Sequence, residues 1–329
     1  MGNRDRARPD PRSDRRYRPR FTLSLDRHLL KRSPYYAPAL MTASAILFGL
    51  MAVALRLATA QVSSSEAAFF RAFFGLIFTL PLLIKPGFAL LRTSRFHLYL
   101  LRGMTGAMSM LASFWALAHL PLAQAVSISY STPLFVTIGA VFLLGEVVRA
   151  RRWTAVAIGF VGVLVIMRPG SMSFSVDMLV ALIGAAFAAS SYISIKFLSR
   201  TEPPDAVVIY MSLIMSPIAL VPALYAWTWP DATGWLWLVL TGLIGTIAQI
   251  LMTRAYEAGD VSALVPINFL QLPVVVVCAY FLFDQKLDLA TALGAGIIIA
   301  ANLYIAHREA MLTRRRRAED SSGETGTQA

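Results

Sequence analysis

Amides, hydroxyls and aromatic rings recur in this sequence at helical spacing inside otherwise apolar segments, a pattern suited to holding a small solute by hydrogen bonds. Thr105, Ser109 and Ser113 form one such stripe, Gln124, Ser127 and Ser131 a second, and Ser190 with Ser194 a third. Thr246, Gln249, Thr253 and Tyr256 form a fourth, followed by Asn268 and Gln271. Residues three, four and seven apart share a helix face, and polar groups turned toward lipid are costly. Each stripe is therefore expected to face a wet cavity or a neighbouring helix. For the serines and threonines the two readings weigh equally. The larger amides of Gln249, Asn268 and Gln271 favour the cavity, because each has both a donor and an acceptor group to satisfy. Tyr130 and Tyr192, like Trp115, are suited to stack on a ring-bearing solute. Trp227, Trp229, Trp235 and Trp237 fit an interfacial belt.

Charge within the apolar segments is confined to Arg56, Glu66, Arg71 and Arg102. A cation at such depth is suited to a solute carboxylate, and Arg71 is the candidate, with pairing near the interface as the equal alternative. Arg56 and Arg102 are expected to snorkel or pair at the membrane boundary. The candidate solute-binding set is thus Arg71, Ser127, Tyr130, Ser131, Tyr192, Gln249, Asn268 and Gln271. His28, His97, His119 and His307 are scattered without ligand spacing, so no metal site is expected. The single cysteine, Cys278, excludes an intrachain disulfide and a multi-cysteine site. No cofactor is expected. An integral membrane enzyme acting on lipid, the alternative function, needs clustered His, Asp or Cys at the membrane surface, which this sequence lacks.

The elements that must carry these stripes follow from composition. Of 329 residues, 57% are hydrophobic and 15% charged, with a mean hydropathy of +0.62, so the solvent is largely lipid. A helix needs roughly 20 apolar residues to cross the bilayer core. Apolar runs predict ten such helices, near 37–60, 65–84, 97–119, 121–145, 153–168, 177–198, 206–228, 235–256, 260–283 and 288–307. The fold class expected is therefore all-α, spanning the membrane ten times.

The net charge of +12 sits mostly in two tails, Arg4 to Arg32 and Arg314 to Arg317, which points to anionic lipid head groups and away from nucleic acid. Lys85, Arg92, Arg95, Arg149, Arg151, Arg152, Lys196, Arg200 and Arg254 fall on the same side as the tails, leaving Arg168 and Lys286 opposite. By the positive-inside rule both termini are cytoplasmic. Residues 1–36 read as a disordered basic tail and 309–329 as a second cytoplasmic tail.

The chain repeats itself at an offset of 139 residues: Phe48 falls on Phe187, Glu66 on Asp205, Gly103 on Gly242, Gly106 on Gly245 and Ala116 on Ala255. This gives repeats over 37–170 and 171–308, each of five helices. An odd number inverts the second copy in the membrane, the arrangement of alternating-access transporters. The helices near 153–168 and 288–307 lack polar stripes and carry small-residue seams, Ala155 with Gly159 and Ala292 with Gly296 and Ala300. They are expected to be peripheral, Val163 and Ile298 meeting lipid, with a homodimer face as the alternative.

FWALAHLPLAQAVSISYSTPLF (Phe114 to Phe135), LLGE (Leu143 to Glu146), GFVGVLVIMRPG (Gly159 to Gly170) and AQILMTRAYEAGDVSALVPINFLQLP (Ala248 to Pro273) resemble the EamA branch of the drug/metabolite transporter superfamily. The resemblance covers all ten expected helices and is greatest to bacterial carriers of S-adenosylmethionine and riboflavin. It implies alternating-access transport of a small organic metabolite across the inner membrane. One departure is Asp284-Gln285, where many members have Gly-Glu, which puts a role for that glutamate in doubt.

Overall fold

Proline and serine chemistry cuts the expected helices into shorter pieces. The computed structural model describes residues 35–83, 93, 95–144, 150–198, 202–258 and 264–326, which form helices and no strand. In chain order these are α1 (Tyr36–Ala58), α2 (Ser64–Thr79) with a 3-10 extension Leu80–Leu83, α3 (Phe96–His119), α4 (Leu122–Ser129), α5 (Thr132–Leu144) and α6 (Ala150–Met167). There follow α7 (Val176–Leu198), α8 (Pro204–Tyr225), α9 (Ala232–Ala258), a 3-10 turn Val265–Leu270, α10 (Gln271–Phe283) and α11 (Leu289–Gly326). The Arg4 to Arg32 segment, Lys85, Arg92, Glu146, Arg149 and Arg200 lie outside the described residues.

Among the described residues seven helices are long and apolar enough to cross a membrane: α1, α4 with α5, α7, α8, α9, the 3-10 turn with α10, and α11. Three expected spans, α2, α3 and α6, do not reach that standard. α2 is too short at 16 residues, whereas α3 is long enough at 24 and is made more polar by Arg102.

Two spans expected to be continuous are broken. Pro133 has no N–H to give the Ser129 carbonyl, so the helix stops and the Thr132 hydroxyl donates to that carbonyl at 2.7 Å. The chain tightens there into three-residue hydrogen bonds, Tyr130 N–H to Ser127 and Ser131 N–H to Ile128, before α5 begins. In the second half Pro266 and Pro273 bracket the 3-10 turn in the same way. The last helix runs past the expected boundary near 307 to Gly326, because Ala, Glu and Arg sustain a helix after the apolar span ends.

Packing pairs four helices of the first half with four of the second: α1 with α9, α3 with α7, α2 with α8, and α6 with α11. Close approach is set by glycine. A Cβ at Gly103 would collide with Ile214 on α8, and one at Gly242 with Phe74 on α2, so the equivalent glycines of the two halves serve equivalent contacts.

The expected placement of α6 and α11 is corrected. Val163 and Ile298 are 1% and 0% exposed and pack where the two helices meet, while Gly296 and Ala300 face outward. The close approach is Gly162 on Gly294, where a Cβ on either residue would press on the other's carbonyl oxygen. Small residues at four-residue spacing occur on both faces of α11, and without a polar stripe nothing in the sequence marks the buried face. Arg168 and Asp288 form an ion pair at the rim of this contact.

Candidate functional site

The broken helices meet. The Tyr130 ring packs edge-on against Phe269, centroids 4.9 Å apart, and its hydroxyl donates at 3.5 Å to the Phe269 carbonyl. That carbonyl is the one Pro273 leaves without a helical donor. The Tyr130 carbonyl, freed by the break in the other half, accepts from the Asn302 amide at 2.8 Å. Tyr130 and Phe269 stand 139 residues apart, the offset of the repeat, so equivalent positions of the two halves touch each other. Discontinuous helices at matching places in two halves are the strongest sequence-level pointer to a carrier's binding region.

Beside this crossing runs the polar face of α9. Thr246 and Thr253 spend their hydroxyl protons on their own helix, at Gly242 (2.7 Å) and Gln249 (2.8 Å). The half-buried amides of Gln249 and Gln271 have no hydrogen-bond partner among the described residues. At the far end of the stripe Asn268 donates to the Tyr256 hydroxyl at 3.4 Å. Tyr192, 44% exposed, lies close enough to interact electrostatically with both Tyr256 and Arg102. From Thr246 to Tyr256 the face rises about 15 Å, half of a bilayer core.

The two buried arginines differ from the interfacial one. Arg56 ends as expected at a helix terminus, donating to the Leu117 carbonyl at 2.8 Å and to those of Ala118 and Leu120, which caps α3. Arg102, expected near the boundary, is instead turned inward at 7% exposed; it bonds Ser191 and the Met211 sulfur, and its Nε has no partner. Arg71 is 8% exposed, and no hydrogen bond or ion pair joins it to any described residue. Its guanidinium lies against Gly75 and Gly245.

The structure brings Tyr192, Gln249 and Asn268 onto one polar route and sets Gln271 beside the crossing, with Arg71 at the Thr246 end. Ser127 and Ser131 are fully buried and donate to the Ala123 and Ile128 carbonyls, so the packed interior takes both hydroxyls. Tyr130, 7% exposed, has its ring filled by Phe269 and not turned to an open wall. Sequence reasoning missed Asn302, Phe269 and Ser212, and read Arg102 as peripheral. The signal for the first two was present in Pro133 and Pro273, which break matching helices. A cleft of about 440 Å³, lined by Ser63, Ser64, Trp115, His119 and Pro222 among others, opens at the Ser64 end of α2. Trp115 donates to Asp177 at 2.8 Å and stacks on His119 there. No group of His, Cys, Asp and Glu suited to a metal occurs among the described residues.

The model of the EamA-like transporter family matches residues 36–168 and again 176–306. The chain belongs to that family. It is a multi-pass membrane protein of the drug/metabolite transporter superfamily, and its closely matching relatives are carriers. A riboflavin transporter of Brucella anthropi is 32% identical over 77% of this chain and 91% of its own length. An S-adenosylmethionine uptake transporter of Rickettsia bellii is 32% identical over 76% and 86%. A pseudopaline exporter of Pseudomonas aeruginosa is 28% identical over 77% and 90%. A solved crystal structure superposes with a TM-score of 0.59 at 18% identity, covering 82% of this chain and 96% of that one, a likeness of fold. The Gln285 side-chain oxygen accepts from the Leu122 N–H at 3.0 Å at the start of α4.

Proposed function

We propose that this protein is a secondary carrier that moves a small organic metabolite across the bacterial inner membrane by alternating access. The observation that carries the reading is the contact of Tyr130 with Phe269, repeat equivalents at the breaks of two discontinuous helices. The matched pairing of α1 with α9 and α3 with α7 supports ten spans arranged as two inverted repeats, 37–170 and 171–308. A site on the axis between such halves is reached from either side when they rock against each other. The solute lies along the polar face of α9, held by the free amides of Gln249 and Gln271, with Asn268 and the exposed ring of Tyr192 beside them, a set that suits a planar or zwitterionic solute. The Lys/Arg asymmetry supports cytoplasmic termini.

The relatives named for riboflavin and S-adenosylmethionine make these two the first solutes to assay. The test is flux into proteoliposomes of purified protein. Gln249→Ala lowers apparent affinity several-fold, the loss of about one or two hydrogen bonds, with insertion and melting temperature unchanged. Undiminished transport of an accepted solute by that variant places the binding site elsewhere. An enzyme acting on lipid would instead turn over bilayer components in the same vesicles.

A further inference from the structure

We propose that Arg71 and Ser212, gathered beside Thr246 around Gly75, form a subsite for a single carboxylate of the transported solute. The inference rests on the carrier reading above and names the chemical class the carrier takes.

At the point where a Cβ on Gly75 would sit, the three nearest atoms are all polar: Thr246 Oγ1 at 3.5 Å, Arg71 Nη1 at 3.7 Å and Ser212 Oγ at 3.7 Å. Gly106 has a similar neighbourhood, with Arg102 Nη1 and Ser191 Oγ at 3.3 Å and the Met215 sulfur at 3.4 Å, but there Arg102 and Ser191 bond each other. On its other side the Arg71 guanidinium lies over Gly245, whose Cβ would come within 3.2 Å of Nε and 3.3 Å of Nη2. Glycines on α2 and α9 thus leave the width that a planar cation and a planar anion need together.

The donors of Arg71 and Ser212 are uncommitted. Thr246 has given its proton to Gly242, whereas Ser212, 4% exposed, has no acceptor among the described residues. Arg71 has no partner at all among them. An arginine serving only to pack ends as Arg56 does, with carbonyls on its N–H groups. Glu202 accepts from Thr93 and Tyr99 at the start of α8, and Glu66 accepts from Thr228 through Oε2 at the start of α2; the buried Glu66 Oε1 has no hydrogen-bond partner among the described residues, and neither carboxylate is bonded to Arg71.

The surrounding field has the same sign. Arg102 bonds the Met211 sulfur, and the next residue of α8, Ser212, shares the space around Gly75 with Arg71, so two guanidiniums lie near this part of α8. Anions are drawn to such a place. One free guanidinium edge and one hydroxyl match the two oxygens of a carboxylate, whereas a phosphate dianion needs more donors than are present.

The purified full-length protein is melted with S-adenosylhomocysteine and with its carboxamide, which differ only in the carboxylate. The subsite is supported if the acid binds about tenfold or more tightly than the amide, if Arg71→Gln and Gly75→Val abolish that preference, and if Arg71→Lys restores part of it. Arg71→Gln itself melts at or above the wild-type temperature, because a buried unpaired charge has been removed. Equal response to acid and amide in the wild type, or a preference that survives Arg71→Gln, overturns it; so does displacement of the acid by inorganic phosphate at equal concentration. Counterflow in proteoliposomes separates the two readings. Discrimination without flux refutes the carrier and keeps the subsite, and flux without discrimination does the reverse.

Discussion

The contact of α6 with α11 and the region where α2, α8 and α9 converge use the same device and arrive at opposite ends. Glycines bring helices together in both. At Gly162 and Gly294 the facing groups are backbone and isoleucine, so the approach is filled by apolar contact and closes. At Gly75 and Gly245 the facing groups are a guanidinium, two hydroxyls and the Met51 sulfur, and the guanidinium and the Ser212 hydroxyl donate to no partner among the described residues. A small residue therefore specifies neither packing nor access. The residue on the opposite helix decides which it is.

If the comparison holds, substitutions in the first region act on stability and those in the second on transport. The largest effect belongs to Gly294→Val, since an added Cβ would lie 2.6 Å from the Gly162 carbonyl oxygen, which backbone cannot easily yield. The expected cost is about 3 kcal/mol or more, read by thermal melting in detergent. A variant that melts like the wild type would show that this seam is loose, and would erase the contrast.

Asn302→Ala tests the boundary between the regions, because Asn302 stands on α11 but serves the Tyr130 carbonyl at the helix crossing. Its removal leaves a buried acceptor unsatisfied, worth about 1–3 kcal/mol. Both the melting temperature and the flux are expected to fall, unlike Gln249→Ala, which lowers flux alone. A loss of stability with flux intact would assign Asn302 wholly to packing.

The smallest effect lies at the rim. Burial raises the Asp288 pKa, but hydrogen bonds from the Thr291 side chain and the Ala290 and Thr291 N–H groups, with the Arg168 charge, outweigh it and hold the carboxyl below its ordinary range. A carboxylate held low in the folded state stabilises above its unfolded pKa of about 4 and loses that stabilisation as pH falls through the folded value. Asp288→Asn should flatten the acid side of the stability curve by less than about 1 kcal/mol, because the pair is largely exposed. An unchanged acid slope would show that Arg168 and Asp288 contribute nothing to the closed seam.

Much of this was legible in the residues. Hydropathy announced a membrane protein of many spans, the 139-residue offset linked Gly103 to Gly242, and the amide stripe of α9 kept Gln249 free of partners. The membrane reading succeeded because lipid penalises each polar group along a segment, which makes hydropathy in one dimension informative.

What only the tertiary structure decided was which partner each residue meets. Arg56 and Arg71 are alike as letters in apolar runs, yet one reaches the carbonyls at the end of α3 and the other lies between two glycines with no acceptor among the described residues. Ser127 and Ser131 share the spacing of a cavity stripe but bond to their own helix, and Val163 and Ile298 look outward only until α6 and α11 are brought together. Spacing along a helix gives a residue its relative angle on that helix. Which way the helix turns, and whether the group it faces can accept its hydrogen bond, depends on residues 60 or more positions away, as the contacts of Arg56 with Leu117 and of Tyr130 with Phe269 demonstrate.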